Sequence, residues 1–360
     1  MIVRNEAHII TRCLESVKPW IDHWIVSDTG SVDNTCVVTR STMAEIPGKV
    51  MHNPWVDFGR NRTIALEAAA ATGCDFILVI DADEVLEVAD PTVLEDLERD
   101  AYRIEMRFPN VSYPRVNLMR AARDFRYVGR IHEYVACDPP AGEYLLEPAK
   151  IHMWTDGQGA RGRSGTKSER DVEVMEHWIE EEPENARAWF YLAQGYETVK
   201  RIGQAIQTYH KRTLMGDYIA EVWYSHYRMA QLLALQSNWP DAKNHYLQAY
   251  ECQPHRAEPL YWLAIGHHNR MQDNTALLYL EQATVLDKPI SDLFVEDAVW
   301  DSLRHMQYAI CLHNVGRHDE ARDIARQLIQ HDRVPLEHRP VIEQIAQLAA
   351  LAPAEGDPIA

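Results

Sequence analysis

The chain has 360 residues, 46% of them hydrophobic, and a formal net charge of −18. That length suits two packed domains, and that hydrophobic content suits folded cores rather than disorder. The acidity argues against a nucleic-acid substrate held on a broad basic face, and no apolar run reaches the ~18 residues of a membrane-spanning helix.

No basic-then-apolar stretch opens the sequence, and the six cysteines (13, 36, 74, 137, 252 and 311) show no metal-ligand spacing. Reduced thiols and a cytoplasmic location are the expectation.

In chain order, Met1–Asn5 reads as a short strand. Glu6–Trp20 reads as a helix, with Ile9, Ile10, Cys13, Leu14 and Val17 at helical spacing. Asp22–Asp28 is a strand, Val32–Glu45 a helix with Asp33 or Asn34 near its start, Gly48–Asn53 a strand and Gly59–Gly73 a helix. Strands separated by helices imply βαβ units and a mostly parallel, Rossmann-like sheet. The next strand, in "CDFILVIDADE", runs an apolar stretch into Asp81, Asp83 and Glu84. If it persists through Asp83, then Asp81 and Asp83 share a face at its carboxyl end, where open α/β sheets bind ligands. Two like charges held close call for a cation or a proton, and a hard divalent ion would serve. The alternative is that both acids cap the next helix or sit solvated. From Tyr102 the alternation in "YRIEMRF" predicts an antiparallel strand, and short strands continue to about Met153.

The second half is helical and repetitive. Ala193, Ala230, Ala264 and Ala309 are each followed twelve residues later by another alanine: Ala205, Ala242, Ala276 and Ala321. The offsets between copies are 37, 34 and 45 residues, and the last step holds the insertion "KPISDLFVED". This pattern resembles the tetratricopeptide repeat, a helix–turn–helix whose small residues mark where paired helices approach. Pro340–Leu351 would cap the array. The loop Thr155–Gly165 is either a linker or a lid whose Arg161 or Arg163 closes over a phosphate. The expected division is a first domain over 1–154, the loop 155–165, the repeat domain 166–352 and a tail 353–360.

Four stretches in order, "MIVRNE", "SDTGSVDNT", "DFGRNRTIAL" and "IDADE", together with "YVGRIHEYV" and "KIHMW", resemble glycosyltransferase family 2. These are nucleotide-sugar enzymes of GT-A fold. The subgroup it looks like includes lipopolysaccharide-core glucosyltransferases and the peptide glycosyltransferases of bacteriocin clusters. Members usually carry several residues before "MIVRNE", so a shortened first strand and a weakened nucleotide-pocket floor are expected. The true start of the chain could also lie upstream of Met1.

The resemblance assigns roles. Asp28 would accept a hydrogen bond from the base, Glu6 would touch the nucleoside, and Arg60 and Asn61 would reach the base or diphosphate. Asp81 would contact ribose or a metal-bound water. Asp83 and His152 would ligate Mn²⁺ or Mg²⁺, which would stabilise the departing nucleoside diphosphate. Glu133 would be the catalytic base. Alternatives are a helix cap beside Asp28, an Arg60–Asp57 pair, a core histidine for His152 and a Glu133–Arg130 salt bridge. His132 and Asp124 are the other candidate bases. Between Arg99 and Arg130 eight arginines face three acids, as an anion site or as solvated strand residues.

The expected activity is inverting transfer from a nucleotide sugar, UDP-linked by expectation, to a protein, peptide or glycan acceptor recruited by the repeats. Self-association through the repeats is a further expectation. The alternative is a non-catalytic tetratricopeptide adaptor with a decayed transferase domain. A nucleotidyltransferase would need a Gly-rich first turn, and "RNEAH" has no glycine.

Overall fold

The structure is a computed structural model describing residues 1–108, 112–159, 167–289 and 294–348. Arg161 and Arg163, the expected lid residues, lie outside the described residues. The chain forms two compact units, Met1–Glu182 and Pro183–Ala360.

The first unit begins β1 (Ile2–Val3), α1 (Ile10–Val17), β2 (Trp24–Asp28), α2 (Thr35–Thr42), β3 (Gly48–His52), α3 (Phe58–Ala70) and β4 (Phe76–Leu78). It continues with β5 (Glu84–Val88), β6 (Ala101–Arg107), β7 (Ser112–Arg120), β8 (Arg126–Val128), β9 (Tyr134–Ala136), β10 (Glu143–Leu145) and β11 (Ile151–Thr155). The helix α4 (Lys167–Glu181) closes it. β1, β2 and β3 are parallel neighbours, as the βαβ pattern predicts. Every residue of β2 is buried, which suits a central parallel strand.

The second sheet, in the order β4-β7-β6-β11-β5, is mixed. β6 runs antiparallel to β7 and parallel to β10 and β11, and β11 runs antiparallel to β5. The parallel pairing thus holds for β1 to β3, and the antiparallel β6–β7 pairing is the one that the alternation from Tyr102 predicts. Alternation is visible in β11, where Ile151, Met153 and Thr155 point inward.

The two sheets are not joined. β1 is only two residues long, and β4 pairs on one side alone, with β7. Between them lies a cleft of about 670 Å³ lined by Met1, Ile2, Val26, Phe76, Leu78 and other apolar residues. The Met1 ammonium sits at the cleft, donating to the Ile25 carbonyl (3.0 Å), and burial lowers its pKa to about 6.

α4 was expected in the repeat domain but belongs to the first unit. Val172, Met175 and Trp178 are buried, the Trp178 ring lies against Gly129, and Glu181 pairs with Arg130.

The second unit is a series of helix pairs: α5 (Ala186–Thr198) with α6 (Ile202–Thr213), and α7 (Ile219–Leu235) with α8 (Trp239–Cys252). Then come α9 (Glu258–His268) with α10 (Asp273–Thr284), and α11 (Arg304–Asn314) with α12 (His318–Gln330). α13 (Arg339–Ala346) ends the described helices, in the stretch predicted to cap the array. All eight repeat alanines are fully buried, the first set on α5, α7, α9 and α11 and the second on their partners. Among the described residues no helix is long and apolar enough to cross a membrane.

Candidate functional site

Asn5, Glu6, Asp28 and Asp33 sit at the carboxyl ends of β1 and β2 and in the loops that follow. Asn5, in the left-handed region at φ 59°, donates its backbone N–H to Ser31 Oγ (2.9 Å) and accepts from Val32 N–H on its side chain (2.8 Å). Asp33 accepts from Ala7 N–H and Thr35 N–H, while Glu6 N–H donates to Thr35 Oγ1 (2.8 Å). The first turn and the β2–α2 turn are thus stitched together, with Glu6 at the seam through its backbone.

Asp28 is buried where β2 ends, as expected. Its carboxylate accepts from the Ser31 and Gly30 N–H groups and contacts His52 Nδ1 at 3.3 Å. Burial alone would raise its pKa. The hydrogen bonds from Ser31, His52 and Gly30 outweigh that, so the carboxyl is held below its usual range. Gly30 at φ 110° permits the tight turn that brings these N–H groups round.

The Arg60–Asn61 pair behaves otherwise than the resemblance implies. Asn61 is buried, and its side-chain amide accepts from Val56 N–H (2.9 Å) and donates to the Pro54 carbonyl (3.0 Å). It braces the β3–α3 loop through both its amide oxygen and its amide nitrogen. Arg60 is exposed, and its backbone N–H is capped by Asp57 (2.7 Å). The expected Arg60–Asp57 contact exists, but through the main chain.

Arg62, one residue beyond that pair, points into the site. Its Nη1 and Nη2 donate to the two oxygens of Asp81 (2.7 and 2.8 Å), and its Nε lies 2.7 Å from Glu133 Oε1. Arg115 donates to Glu84 Oε2 (2.8 Å) and lies 4.0 Å from Asp81. Glu84 also accepts from Asp81 N–H (2.9 Å). Burial works against the Asp81 charge, but Arg62 and Arg115 prevail and hold that carboxyl well below the usual range. Glu84 moves upward, through burial and then the Asp81 charge. Asp81, Glu84 and Glu133 are thus gathered around Arg62 and Arg115, none of which but Asp81 and Glu133 had been assigned a role from sequence. The Arg62 contact is bidentate, one hydrogen bond to each Asp81 oxygen.

Glu133 is brought to the site, but its partner is Arg62 rather than Arg130, which pairs with Glu181 and Glu182. Gly129 allows the approach: a Cβ there would lie 3.4 Å from the Glu133 Cα, and its φ is 108°. His132 has φ 53° in the turn between β8 and β9, so the strand alternation that would have turned it away from Glu133 does not operate. Asp124 is exposed, and the nearby Arg120 and Arg123 pair with Asp100 instead. Most of the arginine cluster is spent in such pairs, including Arg103 with Glu143 and Arg107 with Glu105.

β4 ends at Leu78, so Asp81 and Asp83 lie in the turn before β5 rather than on one strand face. Asp83 Oδ2 accepts from Thr155 Oγ1 (3.4 Å), and the Asp83 carbonyl receives Arg12 Nη2 (3.5 Å). Arg12 also pairs with Asp156 (2.9 Å), which fixes the end of β11 against α1. His152 faces Glu87, with Nε2 at 3.0 Å from Oε2. The β11–β5 register pairs Thr155 with Glu84 and His152 with Glu87, three positions apart, or about 10 Å along the strand.

In this arrangement His152 and Asp83 each meet a partner of their own, Glu87 and Thr155. Among the described residues the trios with ligand atoms close enough to share an ion are Asp28–Cys36–His52 and His268–Asp273–Cys311, and neither includes Asp83 or His152.

Residues 1–131 match the family model described as Glycosyl transferase family 2. A TPR repeat-containing protein of Synechococcus elongatus is 36% identical over 203 residues, 52% of this chain and 48% of the relative. A lipopolysaccharide core biosynthesis glycosyltransferase of Rhizobium meliloti is 33% identical over 98 residues, 27% of this chain and 35% of the relative. The chain thus spans about half the length, or less, of these curated relatives. Among solved structures, that of YrrB, a TPR protein, matches at 20% identity and a TM-score of 0.38, over 49% of this chain and 85% of that one. The βαβ turns and their acids lie in the stretch that is similar to glycosyltransferase family 2, residues 1–131, and the second unit holds eight buried alanines at the spacing of tetratricopeptide repeats, like those of the matched TPR repeat-containing protein.

Proposed function

We propose that the chain is an inverting glycosyltransferase that moves a sugar from a nucleotide-sugar donor, UDP-linked in our reading, to an acceptor recruited by the repeats. The observation that carries the reading is the convergence of Asp81 and Glu133 on Arg62, beside the turn that holds Asp83. The donor's nucleoside would lie against Asp28 and the Glu6 turn. The acceptor hydroxyl would attack the anomeric carbon as the bond to the diphosphate oxygen breaks, and Glu133 would take the hydroxyl proton. Arg62 orients the Glu133 carboxylate through its Nε and remains cationic. Burial opposes that charge, but Asp81, Tyr127 and Glu133 more than offset it. Asp83 is the carboxylate we propose for Mn²⁺ or Mg²⁺, which when bound would offset the charge of the departing diphosphate. The acceptor is read as a protein, peptide or glycan, and a cytoplasmic location fits the six free thiols.

The arrangement of Arg62 also favours a second reading, a non-catalytic adaptor, because both Asp81 oxygens are already engaged. Hydrolysis of nucleotide sugars, assayed with and without Mn²⁺, separates the two. Metal-stimulated hydrolysis that falls in Asp83→Ala supports the transferase. No turnover of any common nucleotide sugar by the folded protein supports the adaptor.

A further inference from the structure

The insertion between α10 and α11 places a short segment, Phe294 to Glu296, on the first helices of three successive pairs, with Phe294 in the left-handed region at φ 62°. The Phe294 ring stacks on Tyr224 of α7, with centroids 4.0 Å apart and planes 28° from parallel, and lies 5.9 Å from Phe190 of α5. Its carbonyl accepts from Arg256 Nη2 (2.9 Å). Two residues on, the Glu296 carboxylate accepts from Tyr227 Oη (2.7 Å) and Gln231 Nε2 (3.3 Å) of α7, and from Trp262 Nε1 of α9 (3.3 Å).

These contacts have the chemistry of peptide recognition rather than of core packing. A main-chain carbonyl meets an arginine, a carboxylate meets hydroxyl, amide and indole donors, and an aromatic ring meets an aromatic wall. Phe294 and Glu296 stay partly exposed, whereas the repeat alanines and leucines beneath are buried. The receiving groups are firmly held. Arg256 is buried, donates to both oxygens of Glu258 (2.7 and 3.0 Å), and lies 3.8 Å over the Trp223 ring. Nor does the repeat scheme require the segment, since it lies within the insertion that lengthens one step to 45 residues against 37 and 34.

We propose that the face built by α5, α7 and α9 binds peptides that carry an aromatic residue two positions before a carboxylate and turn at that aromatic residue, and that Phe294–Glu296 occupies this face as an internal competitor. A peptide of that kind would replace the segment contact for contact. The proposal concerns the second unit alone and stands whether or not the first domain transfers sugar. A tethered competitor lowers apparent affinity by the fraction of molecules in which the face is free, so weakening the segment raises affinity for an outside peptide.

The test is fluorescence polarisation of a labelled peptide reproducing residues 291–298, titrated with the full chain. The Phe294→Ala/Glu296→Ala variant is expected to bind it at least ~10-fold more tightly than the unaltered chain. Adding Tyr224→Ala should abolish that gain, and a peptide with its phenylalanine and central glutamate both replaced by alanine should not bind. A folded double variant that binds no more tightly, or that binds the altered peptide equally well, overturns the proposal. Should the double variant lose its helical circular dichroism, Phe294–Glu296 replaced by Gly-Ser-Gly serves in its place. Loss of helicity in both would make the segment part of the packed core and would equally overturn the proposal.

Discussion

Arg62 neutralises two carboxylates at once, and its removal has a larger structural consequence than the loss of either acid. Arg62→Met leaves Asp81 and Glu133 facing each other without their shared cation. We expect a loss of about 3 kcal/mol in unfolding free energy, measured by urea denaturation, because breaking a largely buried pair strands the remaining charge. Glu133→Gln is milder, since it keeps the size of the side chain and leaves the Arg62–Asp81 pair in place. The variant should stay folded, bind donor normally and lose at least ~100-fold in transfer rate. Near-normal transfer would remove Glu133 from the role of base and turn attention to His132. That Arg62 rather than Arg60 enters the site was not legible in "GRNRT". Consecutive helix positions point about 100° apart, and which one faces the acids depends on how α3 docks. Gly59 sets that docking, because a Cβ there would lie 2.3 Å from the Gly129 carbonyl oxygen. Gly59→Ala is therefore expected to lower stability by about 1–3 kcal/mol and to weaken donor binding along with it.

At the scale of elements, the periodic patterns proved good guides to existence and poor guides to ends. β4 stops at Leu78, three residues before Asp81, and the acids gain their geometry from the turn and from Arg62 and Arg115 instead of from strand alternation. The helix pairs followed the alanine spacing closely, because a residue that must be small to let two helices meet is conspicuous in sequence. Ala264, fully buried on α9, should tolerate leucine poorly, with about 1–3 kcal/mol lost on overpacking and a matching drop in thermal midpoint. The histidines of α7 and α8 add a pH dependence. His226 Nδ1 lies 3.1 Å from His245 Nδ1, and burial, then His245 and His210, lower the His226 pKa to about 4. In the unfolded chain it titrates near ~6.5. Between these values the unfolded state binds more protons, so stability is complete above ~6.5 and falls as the pH drops towards 4. His226→Asn should flatten that part of a thermal-midpoint profile taken from pH 7 to pH 4; an unchanged profile would remove His226 as the source.

For the whole molecule, the division after Glu182 matters more than the composition change near Thr166 that the sequence displays. A fragment ending at Glu182 keeps α4, whose Trp178 and Glu181 serve the Gly129–Arg130 turn next to Glu133, and is expected to fold and hydrolyse donor while losing transfer to a macromolecular acceptor. A fragment ending near residue 154 should instead expose that turn and lose structure by circular dichroism. Full transfer by the longer fragment would show that the repeats do not recruit the acceptor. The sequence by itself determined the succession of βαβ units, the repeat register and the identity of Asp28 as a residue at a strand end. These follow from local periodicity and from chain order, which a one-dimensional string records. Only the tertiary structure decided that His152 faces Glu87, that Asn61 braces a loop, that Arg62 joins Asp81 to Glu133 and that α4 packs with the first unit. Each of these is a pairing between side chains from separate elements, set by how helices and strands rotate and dock against one another, and no spacing within a single element encodes it.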